Sequence, residues 1–217
     1  MARKPTLPRG PGRPTKSAPD DRRARILDSA IALFGRDGIS ATSLSSVARH
    51  AHVTPALVHY YYGNREQLVD ALVEQRFVPL MREVAAGVDM ATEDPRELVR
   101  RFVHVVVDAV SRNPWFPPLW VREVLSEGGQ LRDRLIAFSR GEVTAKLRDR
   151  FVSAHAAGLI NRHLDPRLLV VSLMGLTLFP FAAAPIWRRA LDGDDIPAQA
   201  IAAHAIALLE HGMEPSA

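Results

Sequence analysis

The densest run of chemically capable side chains is His59-Tyr60-Tyr61-Tyr62, followed at once by Asn64 and Arg65. It lies within TSLSSVARHAHVTPALVHYYYGNR, residues 42–65. Imidazole, phenol and guanidinium groups donate hydrogen bonds to phosphate oxygens, and a phenol also reaches base edges. A second run, WFPPLWVREVLSE at residues 115–127, puts two Trp, one Phe, one Arg and two Glu into a short piece. Large apolar surface with a few placed polar groups is what the wall of a small-molecule pocket requires. Trp115, Phe116, Trp120 and Glu123 are therefore candidate ligand contacts, joined by Phe138, Met174, Leu178 and Phe179 from later segments. The aromatic members of this set serve equally well as plain core.

The remaining polar residues point away from catalysis. The chain has no cysteine, which removes thiol nucleophiles, thiolate zinc sites and disulfides together. No phosphate-binding loop and no Ser/His/Asp arrangement is identifiable. The eight His are scattered. Asp192-Gly193-Asp194-Asp195 lacks a completing acidic ligand and reads as an exposed loop. No metal and no cofactor is expected. Arg101, His104, Asp108 and Arg112 form one polar stripe at helical spacing, either a solvated face or a polar pocket wall.

Helices must position these groups. Apolar residues recur at helical spacing and strand signals are scarce, so the class is all-α. Ile26, Leu27, Ala30, Ile31 and Phe34 share one face of a helix from about 20 to 36 that Asp37-Gly38 stops. A short second helix follows Thr42 or Ser43 and ends near Ala51. Thr54-Pro55 is an N-cap and first-turn pair opening a third, to about Tyr61. Asn64 and Gln67 have the spacing of a reciprocal cap for a fourth helix, kinked at Pro79 and reaching about Ala86. Further helices are expected over 95–112, 119–126, 131–157 (with a weak point at Gly141), from 166 to the Pro180 region, and 197–211, with Pro117-Pro118 as a rigid turn. Leu168 to Trp187 carries no charge, yet Pro180 and Pro185 interrupt it, so it reads as a buried helix and a turn, and no membrane span is expected.

The net charge of +4 is unevenly placed. Residues 1–19 hold Arg3, Lys4, Arg9, Arg13 and Lys16, no acid and five prolines, and read as a disordered arm. Residues 20–70 balance, and residues 71–217 carry 17 basic against 18 acidic side chains. A basic arm on a neutral body is the footprint of polyanion binding. Arg9-Gly10-Pro11-Gly12-Arg13-Pro14 is similar to the Gly-Arg-Pro core of minor-groove AT-hooks, and Arg9 and Arg13 are candidate DNA contacts. The arm shows no apolar stretch of a secretory signal, and a cytoplasmic location is expected.

Over roughly residues 22–72 the chain resembles the TetR (tetracycline-repressor) family of bacterial transcription regulators. The residues that carry the resemblance are Ile26-Leu27, Ala30, Leu33-Phe34, Gly38, Thr42, Val47-Ala48, Ala51, Val53-Thr54, His59-Tyr60-Tyr61-Tyr62, Asn64-Arg65-Glu66 and Leu68. His52 stands at a turn position usually held by Gly, His59 where a Tyr is usual, Tyr62 for Phe and Arg65 for Lys. The resemblance implies a three-helix helix-turn-helix DNA-binding domain at 20–65 and an effector-binding and dimerisation domain at 66–217. It places Pro55, Ala56, Leu57 and Tyr60 at base edges, and Thr42, His59, Tyr61 and Arg65 at phosphates; helical facing puts Tyr62 in the core. It also implies a homodimer through the last two helices, on a palindromic operator, released by a small apolar or amphipathic effector. A ligand-independent or activating regulator and an architectural minor-groove binder are the alternatives.

Overall fold

A computed structural model describes residues 19–88, 91–134 and 143–215. Among these residues there is no strand, and the buried apolar side chains, Ile201 apart, form one continuous cluster from Ile26 to Met213.

Helix α1 (Pro19–Asp37) buries Ile26, Leu27, Ala30, Ile31 and Phe34 on one face. It ends where Gly38, at φ 92°, turns the chain and donates to the Phe34 carbonyl. Helix α2 (Leu44–His50) starts with Ser43 as N-cap, and Ser43 and Ser46 cap each other reciprocally. The turn to α3 (Pro55–Tyr62) places His52 at φ 56°, the left-handed backbone that Gly supplies more cheaply. Val53 N–H then closes onto the Ala48 carbonyl at 2.9 Å. Thr54 caps α3 through Leu57 N–H, with Pro55 at the first helical position. Helix α4 (Arg65–Leu72) carries the expected Asn64–Gln67 capping box.

Near Pro79 the helix widens and does not simply kink. A π-helical turn covers Val73–Phe77, in which Val78 N–H reaches back to the Val73 carbonyl, and α5 (Val78–Gly87) follows. Proline lacks an N–H and crowds the carbonyl four residues back, and a wide turn relieves both. Helix α6 (Pro95–Arg112), capped by Asp94, buries Leu98, Phe102, Val106 and Val110 along its inner side. Pro117-Pro118 is not a turn. Both lie in the first turn of α7 (Phe116–Trp120), where the missing N–H groups have no helical partner to lose, and a second π-helical turn (Val121–Leu125) completes that element.

Residues 132–134 and helix α8 (Val143–Ala156) are the described helical parts of the stretch expected as one long helix from 131; Gly141 lies outside the described residues. Helix α9 (Pro166–Ala182), capped by Asp165, continues through Pro180. It is bent by 75° from a short helix the periodicity did not reveal, α10 (Ala184–Ala190). The last helix, α11 (Ala198–Met213), packs on α6 and α9. No single helix among the described residues is long and apolar enough to cross a membrane.

Candidate nucleic-acid interface and effector cavity

The facing of α3 follows from four residues. Val58 is fully buried and Tyr62 nearly so, one helical turn apart, and Leu57 and Tyr61 are half-buried beside them. The opposite face presents Pro55, Ala56, His59 and Tyr60 to solvent, with Tyr60 80% exposed. A helix whose back is clamped into a core holds the Tyr60 phenol out in solvent. The clamp is explicit: the Tyr62 hydroxyl donates to the Arg23 carbonyl of α1 at 2.8 Å, and the Arg23 guanidinium lies 5.6 Å from the ring centre. Burial raises the Tyr62 phenol above its ordinary pKa, opposed in part by Arg23, so it stays a donor. Tyr61 packs edge-on against Tyr60 at 5.2 Å and limits its rotation.

His59 has Nδ1 2.7 Å from the Gly63 carbonyl oxygen. A carbonyl only accepts, so Nδ1 carries the proton. The exposed Nε2 then accepts in the neutral ring and donates only in the imidazolium. Arg65 is exposed at the start of α4, where its guanidinium donates to the Ser40 carbonyl at 3.0 Å and so lies over the α1–α2 turn. Thr42, expected at a phosphate, is only 3% exposed, and its hydroxyl donates to the Gly38 carbonyl at 2.7 Å. The hydroxyl closes the loop from inside because Ser43, one residue later, has taken the N-cap. Arg9 and Arg13 lie outside the described residues.

A cavity of about 390 Å³ opens between α5, α6, α7, α8 and α9. Four of the expected ligand contacts line it: Phe116, Trp120, Met174 and Leu178. Three do not. Phe179 follows Leu178 by one residue, about 100° round the helix, and is 65% exposed on the outside. Trp115 precedes α7 and packs on Phe77 and Phe116, at 6.2 Å and 5.8 Å between ring centres, as a core lid. Glu123 sits on the following π turn, directed away from the cavity. Phe138 lies outside the described residues. Periodicity missed the α5 and α6 lining, including Leu80, Val84, Phe102 and Val106, because these residues read as ordinary core in sequence.

Glu123 has a different place. It is 4% exposed, and its carboxylate accepts from Ile39 N–H at 2.9 Å and from Gln130 N–H at 3.1 Å. Ile39 belongs to the turn between α1 and α2. Gln130 adds a side-chain bond to the Ser40 hydroxyl at 2.8 Å. The element that walls the cavity through Phe116 and Trp120 thus also grips the turn beneath α2 and α3. The polar stripe on α6 is a solvated face: Arg101 pairs with Glu97 and Arg112 with Asp108, while His104 is exposed. Among the described residues no group of three or more His or acidic side chains could hold a metal ion.

An N-terminal trihelical unit with an outward third helix, joined to a helical body with an apolar cavity, defines the class of helix-turn-helix regulators. Residues 26–72 match the family described as "Bacterial regulatory proteins, tetR family", and residues 95–209 match "Tetracyclin repressor-like, C-terminal domain". The chain belongs to the TetR family, a family of transcription regulators and not of enzymes. It is 33% identical over 100 residues to the transcriptional regulator BetI of Rhizobium meliloti strain 1021, covering 46% of this chain and 49% of that protein. It is 27% identical over 143 residues to the transcriptional repressor NicS of Pseudomonas putida strain KT2440, covering 64% of this chain and 66% of that one. The matches thus span about half to two thirds of these relatives. The fold is similar to that of the ketosteroid transcriptional regulator KstR2 of Mycobacterium tuberculosis, with TM-score 0.72, 19% identity, and 90% and 96% of the two chains covered.

Proposed function

We propose that this chain is a cytoplasmic, homodimeric repressor that reads a palindromic operator and is released from it by a small apolar or amphipathic molecule. The observation that carries the reading is the facing of α3: Val58 and Tyr62 lock its back while Pro55, Ala56, His59 and Tyr60 stand outward. Apolar groups at Pro55, Ala56 and Leu57 suit thymine methyls, and the Tyr60 hydroxyl suits a base edge or a phosphate. Tyr61 and Arg65 contribute phosphate contacts, and His59 does so as the imidazolium. The basic arm with Arg9 and Arg13 adds minor-groove or phosphate anchoring.

Two further features support the reading. Leu168 and Val171 of α9 are 60% and 63% exposed, and Leu208 of α11 is 51% exposed, alongside Phe179. This apolar stripe on the last two long helices suits a two-fold helical interface, and a two-fold dimer matches a palindrome. A ligand that displaces Trp120 also moves the π turn bearing Glu123, and with it the turn under the reading helices. Such coupling is reciprocal, so operator DNA weakens ligand binding by the same factor. The NicS relative is named a repressor.

Footprinting on the DNA upstream of its own gene at moderate salt tests this. A two-fold-symmetric protected region is the expected result, and its absence contradicts the reading. Raised transcription from a promoter bearing the protected site identifies an activator instead.

A further inference from the structure

We propose that the cavity takes an amphipathic carboxylate, with its hydrocarbon body among Phe102, Trp120, Met174 and Leu178 and its anionic head at Arg82. The inference rests on the reading of this cavity as the effector site and adds the charge and shape of the ligand.

The chemistry follows from the lining. The volume of about 390 Å³ is that of a small-molecule site. Its described walls are apolar side chains apart from Thr144 and Arg82. No acidic side chain is among them, so a cationic head would enter beside a guanidinium with no counter-charge. A polyol would leave several hydroxyls unpaired in an apolar wall, at a large desolvation cost. An apolar chain bearing one anion fits both constraints.

Arg82 is placed to receive that anion. It is exposed at the rim of the cavity, and it makes no hydrogen bond or ion pair with any described residue. Its own helix offers Val78, Pro79, Ala85 and Ala86 three and four residues away, none of them acidic. The adjacent Glu83 is engaged by Arg112, which also holds Asp108. A guanidinium fork matches a carboxylate in a bidentate geometry that a lysine cannot reproduce.

The test titrates the DNA-free protein with decanoate and decyltrimethylammonium below their micelle concentrations and with 1-decanol below its solubility limit. Tryptophan emission is the readout, and W120F shows which part of the signal arises in the cavity. Decanoate is expected to bind about fivefold tighter than decanol, the scale of one ion pair at a solvated rim. R82Q is expected to bring decanoate to the affinity of decanol and to leave decanol unchanged. Equal binding of all three amphiphiles, or equal weakening of all three by R82Q, overturns the assignment of charge. Failure of all three to bind overturns the cavity as an amphiphile site. The operator footprint is measured without amphiphile, so a lost charge preference beside an intact footprint condemns only the ligand assignment.

Discussion

Replacing Glu123 by Gln is the sharpest perturbation of the link between cavity and reading head. The wild-type carboxylate accepts from Ile39 N–H and Gln130 N–H, one oxygen to each, and is 4% exposed. Glutamine has the same shape but one acceptor oxygen, and its NH₂ group meets the other N–H, donor against donor. One charge-assisted hydrogen bond is lost, worth roughly 1.5–3 kcal/mol, and a buried donor is left unpaired. No other acceptor serves Ile39 N–H among the described residues. At about 1.4 kcal/mol per factor of ten, local opening should become roughly 10–100 times more frequent. Amide exchange read by mass spectrometry on peptides covering 36–44 and 126–134 measures this. The expected result is acceleration of that size in at least one of the two, with the α6 core changed far less. Unchanged exchange in both peptides, or the same rise in every peptide, refutes the reasoning, because the carboxylate would then not be a local clamp.

Four other outcomes are expected. Y60A removes an 80% exposed side chain, so thermal unfolding should shift by the equivalent of no more than about 0.5 kcal/mol while operator affinity drops at least tenfold in a gel-shift titration. Deleting residues 1–16 should weaken operator binding and flatten its dependence on salt, since each lost phosphate contact lowers the logarithmic slope by about one. V171D puts a charge on a residue 63% exposed in the single chain and should give monomers by light scattering, with loss of operator binding. G63A should destabilise by about 1–3 kcal/mol in denaturant unfolding, because Gly63 sits at φ 64° and an added Cβ would lie 1.9 Å from Gln67 Oε1, breaking the α4 cap.

What could be read from the sequence was what local chemistry decides. Thr54-Pro55, Asn64 with Gln67, Asp94-Pro95 and Asp165-Pro166 each announce a helix start because cap and first turn lie within three residues of each other. The division of the tyrosine run, with Tyr62 inward and Tyr60 outward, follows from helical facing alone. What could not be read depends on partners far along the chain or on fine register. Glu123 stands 84 residues from Ile39, and nothing in WFPPLWVREVLSE marks its carboxylate for a backbone N–H of the first domain. Leu178 lines the cavity and Phe179, one residue on, does not, because one residue on a helix is the difference between the inside of α9 and its outer stripe. The π turns at Val73–Phe77 and Val121–Leu125 hinge on which carbonyl receives one N–H, a choice that packing makes.

We propose that the outward face of α3 reads DNA sequence as one half of a two-fold pair. Selection of bound duplexes from a random-sequence pool at moderate salt, run in parallel with the full chain and with Y60A, tests it most directly. The expected result is enrichment of an inverted repeat by the full chain, its half-sites a whole number of helical turns apart, and loss of that enrichment with Y60A. A pool that stays unenriched, or enriches equally for Y60A, would contradict it.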